Sequence, residues 1–125
     1  MSVAEIGKRL VELCQKGENR QAVEELYADE VVTIEGQGSD EMPARMEGKD
    51  AVRGKHDWWE SHHEVHDATA EGPFCGHRDD QFAVLFGMDV THKQSGQRIA
   101  MREVALFTVA DGKIVQEEFL YQTGD

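Results

Sequence analysis

The feature that most constrains this chain is a change of period near residue 63. Upstream, apolar residues recur at helical spacing. Val3, Ile6, Leu10, Leu13 and Cys14 fall at i, i+3, i+7, i+10 and i+11, one stripe of an amphipathic helix that Gly17 ends. Asn19 is placed to cap a short second helix with Val23, Leu26 and Tyr27 on its buried side. Val31 to Glu35, VVTIE, is β-branched and reads as a strand, and residues 36 to 48, with three glycines and a proline, read as a long loop. A third helix is expected over Lys49 to Ser61, with Val52, His56 and Trp59 facing inward. Downstream of His63 the period becomes two. Strands are expected over Glu64 to Glu71, Gln81 to Thr91, Arg98 to Val109 and Lys113 to Tyr121. They are separated by Gly72-Pro73 with the polar run 76 to 80, by the turn Lys93 to Gly96, and by Asp111-Gly112. Helices first and an antiparallel meander after define an α+β class, with helices covering one face of a curved sheet. At 125 residues this is one domain, residues 1-125.

Period-two geometry also splits the two glutamates of the final strand, KIVQEEFLY. Successive strand side chains point to opposite faces, so Glu117 and Glu118 have different surroundings. In Arg98 to Val109 one face carries Met101, Glu103, Ala105, Phe107 and Val109, and the other Val104 and Leu106 with Arg102 and Thr108. A sheet covered on one side only alternates cleanly; here apolar residues on both faces call for cover on both. The economical cover is a second copy of the chain, so a homodimer through the late strands is expected.

Charge narrows the partners. Thirteen Lys and Arg stand against 25 Asp and Glu, a formal net charge of −12. That field repels a nucleic-acid backbone and disfavours an anionic membrane surface. No apolar run is long enough to span a bilayer, and the first residues lack the pattern of a secretory signal. Cys14 and Cys75 sit in no CxxC pattern and read as reduced thiols, which points to the cytoplasm.

Three stretches carry a family resemblance: LYADEVVTIEG (26 to 36), MEGKDAVRGKHDWW (46 to 59) and VADGKIVQEEFLY (109 to 121). In this order and spacing they resemble the SnoaL-like proteins of the nuclear transport factor 2-like superfamily, relatives of polyketide cyclases and ketosteroid isomerase. The resemblance implies a cone-shaped α+β barrel, a curved antiparallel sheet wrapped around three N-terminal helices. It also implies a mostly apolar pocket for a small hydrophobic molecule at the open end. Such domains include isomerases, cyclases and dehydratases as well as binding modules, so function has to come from the site.

By the same resemblance, the isomerase base falls at Glu35. The positions of the isomerase's two oxyanion donors fall at Leu10 and near Ala105, neither of which donates, so a typical ketosteroid isomerase is not expected. The family register turns Glu117 inward with Val115, Phe119 and Tyr121, and leaves Glu118 outside with Ile114, Gln116 and Leu120. Glu35, Glu103 and Glu117, with Tyr121 and His56, are therefore the candidate catalytic residues. Trp59, Phe86, Phe107 and Phe119 are the candidate substrate-binding residues. Carboxylates gathered in one cavity cannot all stay ionised, and inward neutralisers are expected from His56, His66 or Arg45. The alternative is that an inward glutamate is only a satisfied structural group. His62, His63 and His66 straddle a helix-to-strand break, so no metal site is expected. No cofactor fingerprint such as GxGxxG occurs, and none is expected. The expected chemistry is cofactor-independent proton abstraction next to a carbonyl, as in isomerisation, cyclisation or dehydration. A non-catalytic binding module or a dimeric scaffold is the other reading.

Overall fold

The structure, a computed structural model, describes residues 1–121. Its order is α1 (Val3–Gln15), α2 (Asn19–Leu26), β1 (Tyr27–Ile34), β2 (Arg45–Glu47), α3 (Lys49–His62), β3 (His63–Phe74), β4 (Gln81–His92), β5 (Arg98–Ala110) and β6 (Lys113–Leu120). Helix α1 begins with a capping box. The Ser2 hydroxyl accepts from the Glu5 amide and the Glu5 carboxylate accepts from the Ser2 amide, so two amides without helical partners are satisfied. It ends at Gly17, whose φ of 75° lets the Glu18 amide turn back onto the Leu13 carbonyl. Gly7 lets α1 lie close on the sheet. A Cβ there would stand 2.7 Å from Pro73 and 3.2 Å from Phe82. Helix α2 starts without a side-chain cap. Asn19 is its first residue rather than its cap, because Glu18 occupies the capping position.

The six strands form one sheet in the order β2-β1-β6-β5-β4-β3. Neighbours pair antiparallel except β1 and β6, which run parallel and set Thr33 beside Glu117. The last strand thus lies inside the sheet, between the first strand and β5. Helices α1 and α3 pack on the concave face. The core between them comprises Ile6, Leu10, Leu13, Val23, Val31, Val52, Phe82, Val84, Ala105, Phe107 and Ile114. Phe82 and Phe107 stack with ring centroids 5.0 Å apart.

Several expectations change in detail. The loop 36 to 48 contains β2, which pairs with the end of β1. Strand β3 continues past the expected break at Gly72-Pro73 to Phe74, with a register shift between Glu71 and Phe74. In β6, Thr108 pairs with Gln116 but Val109 with Ile114, so Val115 is an extra, bulged residue. The bulge reverses the alternation before it. Ile114 faces inward and is fully buried, not outward as strict period-two counting requires, while Glu117 keeps its inward direction.

Candidate functional site

Glu117 of β6, Glu35 just past the end of β1 and Lys55 of α3 make the polar centre of the concave face. Glu117, 2 % exposed, accepts the Tyr27 hydroxyl on one oxygen and the Thr33 hydroxyl, at 2.7 Å, on the other. The parallel register of β1 and β6 sets Thr33 beside it. Tyr27 sits where α2 passes directly into β1, and both it and Thr33 are buried, with a register irregularity between Tyr27 and Val32. Lys55 reaches in from α3, one helical turn beyond buried Val52. Its ammonium donates to the Thr33 hydroxyl at 2.7 Å and to a Glu35 oxygen, and lies 4.0 Å from Glu117. It also sits over the Phe119 ring, 4.8 Å from the centroid. Glu35 takes a second donor, the Tyr121 hydroxyl, at 3.0 Å. The connected order is Tyr27, Glu117, Thr33, Lys55, Glu35, Tyr121.

Glu103 stands apart from this chain. It lies on the same face of β5 as buried Ala105 and Phe107, is partly buried, and has no side-chain hydrogen bond among the described residues. Burial, then repulsion from Glu35, pushes its carboxyl up to about 7; Lys55 opposes the rise and Glu117 adds to it. Burial and Glu35 push the Tyr121 hydroxyl up to about 12. Tyr27 is held well above its ordinary value by burial and by Glu117. Burial, with Glu117 nearby, pushes Cys14 up to about 12, leaving it an inert thiol.

The remaining predicted residues are scattered. His56 points between α2 and α3, where it lines a hollow of about 100 Å³ with Arg20, Val23, Glu24 and Arg53. Burial lowers its affinity for a proton. Phe107 belongs to the core stack, while Phe86 and Phe119 are partly buried against the core. Trp59 stacks on His63 at 3.7 Å and Trp58 on His62 at 4.3 Å. The Trp58 indole also donates to Glu41 of the long loop at 3.4 Å. The three clustered histidines diverge: His62 to the Trp58 carbonyl, His63 to the Trp59 carbonyl and His66 to Thr91. A second hollow, about 230 Å³, lies by Phe74, His77, Arg78 and Leu106 at the other end of the sheet. Neither hollow is lined by Glu35, Glu103 or Glu117.

The neutraliser was expected at His56, His66 or Arg45. His66 is exposed, and Arg45, also exposed, pairs with Glu47, so neither meets the inward carboxylates. Lys55 takes that place. Its signal was present, since i+3 from Val52 shares the inner face as i+4 does. Thr33 was equally legible by alternation with Val31 and Glu35. Tyr27 was expected on the buried side of α2, but its partner could not be read from local sequence.

A profile of the SnoaL-like domain matches residues 1–121. The chain belongs to the SnoaL-like domain family. Among solved structures, this SnoaL-like domain is similar to a Mesorhizobium loti protein provisionally called a SnoaL-like polyketide cyclase [carbohydrate phosphatase]. Identity is 43%, with 97% of this chain and 100% of that one covered and a TM-score of 0.89. A provisionally named polyketide cyclase of Pseudomonas putida is similar in fold, at 16% identity, 98% and 92% coverage and a TM-score of 0.71. So is a Xanthomonas campestris protein of unknown function with a cystatin-like fold, at 16% identity, 96% and 90% coverage and a TM-score of 0.74. No curated protein matches the chain significantly. Among the described residues, no helix is long and apolar enough to cross a membrane.

Proposed function

We propose that this SnoaL-like domain binds a small, hydrophobic carbonyl compound and moves a proton at the carbon beside the carbonyl, without a cofactor, with Glu103 as the proton carrier. The observation that carries the reading is the contrast among the three glutamates. Glu117 and Glu35 each accept donors on both oxygens, an arrangement that fixes a carboxylate rather than freeing it to react. Glu103 faces the same side of the sheet with no donor among the described residues. Titrating at about 7, it can exchange a proton in either direction near neutral pH, as general acid–base work requires. Isomerisation, aldol-type cyclisation and dehydration all begin with such a transfer. Glu117, which the sequence put forward as a base, becomes an anchor.

The test needs no known substrate. Aryl ketones and 1,3-diketones are incubated with the protein in deuterated water, and loss of the proton next to the carbonyl is followed by NMR. The expected result is catalysed exchange that rises through a midpoint of about 7 and is lost in Glu103→Gln. Full exchange in Glu103→Gln overturns the reading.

One observation favours the second reading, a binding module without turnover. The polar chain from Tyr27 to Tyr121 satisfies itself, and the two hollows described lie elsewhere. In that case a ligand raises the melting temperature in proportion to its occupancy and is recovered unchanged.

A further inference from the structure

We propose that Lys55 is the electrophilic group of this site: its ammonium, anchored through Thr33 to the buried Glu117, receives the oxygen of a neutral carbonyl ligand as that oxygen becomes an enolate. The inference rests on the functional reading above, and it names the class of substrate and the residue that selects it. By the family resemblance the isomerase's two oxyanion donors fall at Leu10 and near Ala105; both residues are apolar and buried in the core here. A developing enolate still requires a donor aimed at its oxygen.

Lys55 has the attributes of that donor. An ammonium carries three N–H groups. Thr33 takes one and Glu35 another; Glu117, at 4.0 Å, lies outside hydrogen-bond reach. The third has no acceptor among the described residues, and the side chain keeps 14 % of its surface exposed. Its position is fixed from behind. Thr33 and Glu117 are both fully or almost fully buried, and the Tyr27 hydroxyl locks the far oxygen of Glu117. The donor is thus held by packed groups rather than by solvent, so little reorganisation is needed when charge appears.

The step balances within the site. Glu103, as a carboxylate, takes the proton from carbon. The carbon–hydrogen electron pair becomes the enolate double bond, and the carbonyl π pair moves onto oxygen. Lys55 donates a hydrogen bond to that oxygen and keeps its proton. Return of the proton from Glu103 to the same or a neighbouring carbon closes the cycle. The surrounding charge selects the ligand. Glu35, Glu103 and Glu117 make a free carboxylate unwelcome, whereas a neutral ketone gains charge only where the ammonium meets it.

The experiment uses 2-naphthol, a hydrophobic enol mimic whose absorption distinguishes the neutral and ionised forms. On the wild-type protein, the bound probe is expected to ionise about tenfold more readily than in water, and 2-naphthoic acid is expected to bind at least about tenfold more weakly. In Lys55→Met the excess ionisation disappears; in Lys55→Arg part of it returns. The wild-type measurement stands without any variant, and Lys55→Gln serves as a second replacement. No binding to wild type, ionisation as in water, or equal ionisation in wild type and Lys55→Met overturns the assignment. This arm involves no proton transfer from carbon. Loss of exchange in Glu103→Gln together with a naphthol signal indifferent to Lys55 leaves Glu103 standing and removes Lys55. Full exchange in Glu103→Gln removes the functional reading whatever the naphthol does.

Discussion

Replacing Glu103 by glutamine should make the protein more stable in alkali and nearly unchanged in acid. The native state holds the Glu103 proton up to about 7, against 4.5 for an ordinary glutamate. Between those values the native state binds more protons than the unfolded state, so raising the pH favours unfolding. The favourable contribution is complete below 4.5, falls as pH rises, and above about 7 has become a constant cost of keeping a charged carboxylate in place. The full difference corresponds to about 3 kcal/mol, which the partial exposure of Glu103 reduces to about 2 kcal/mol. Glutamine keeps the shape and carries no charge at any pH. Urea unfolding followed by the fluorescence of Trp58 and Trp59 therefore has a defined outcome. At a pH of about 8, Glu103→Gln should gain about 2 kcal/mol over wild type; at about 4 the two should agree within about 0.5 kcal/mol. Taking the difference between the two proteins cancels the carboxylates and histidines that do not interact with Glu103; Glu35, Glu117 and Lys55, which do, contribute to it. An equal gain at both pH values, or a loss at high pH, refutes the argument that Glu103 is held in a charge-averse position. With the expected loss of proton exchange, the same substitution would buy stability at the cost of activity, as residues held for chemistry commonly do.

Other outcomes follow from the same contacts. Tyr27→Phe removes a donor from a carboxylate that is 2 % exposed, and should cost about 2–4 kcal/mol in urea unfolding. Adding Glu117→Gln should recover part of that loss, and a fully additive double variant would contradict the pairing. With an aromatic disulfide reagent at neutral pH, exposed Cys75 should react in the native state and Cys14 only after unfolding, since burial pushes that thiol up to about 12. Release of two equivalents per chain from folded protein would contradict the burial of Cys14. The outer face of β5 and β6 exposes Val104 and Leu120, which are directly paired across the two strands, and the homodimer is our proposal for its cover. Sedimentation of wild type as a dimer and of Val104→Lys as a monomer supports it; a 14.1 kDa species for wild type rules it out.

The succession of elements was legible because periodicity is a local property. The spacing of Ile6, Leu10 and Leu13, the turn at Asp111-Gly112 and the β-branched runs fix helix, turn and strand from neighbours alone. Alternation also guaranteed that Glu117 and Glu118 part company, and the family's motifs turned Glu117 inward. The Val115 bulge was not legible, because the extra residue exists only relative to the partner strand, and it put Ile114 on the side opposite to that expected. Nor was the parallel pairing of β1 with β6, which joins residues more than eighty positions apart and depends on how the whole sheet closes. That pairing sets Thr33 beside Glu117, and α3 then delivers Lys55 between Thr33 and Glu35. The sequence by itself determined that Glu117 and Glu118 point to opposite faces, and the family's motifs implied that Glu35, Glu103 and Glu117 turn inward. Only the tertiary structure decided that Glu117 and Glu35 are tied to donors while Glu103 has none among the described residues. Desolvation and hydrogen bonding depend on what lies across the interior, and no local pattern encodes that.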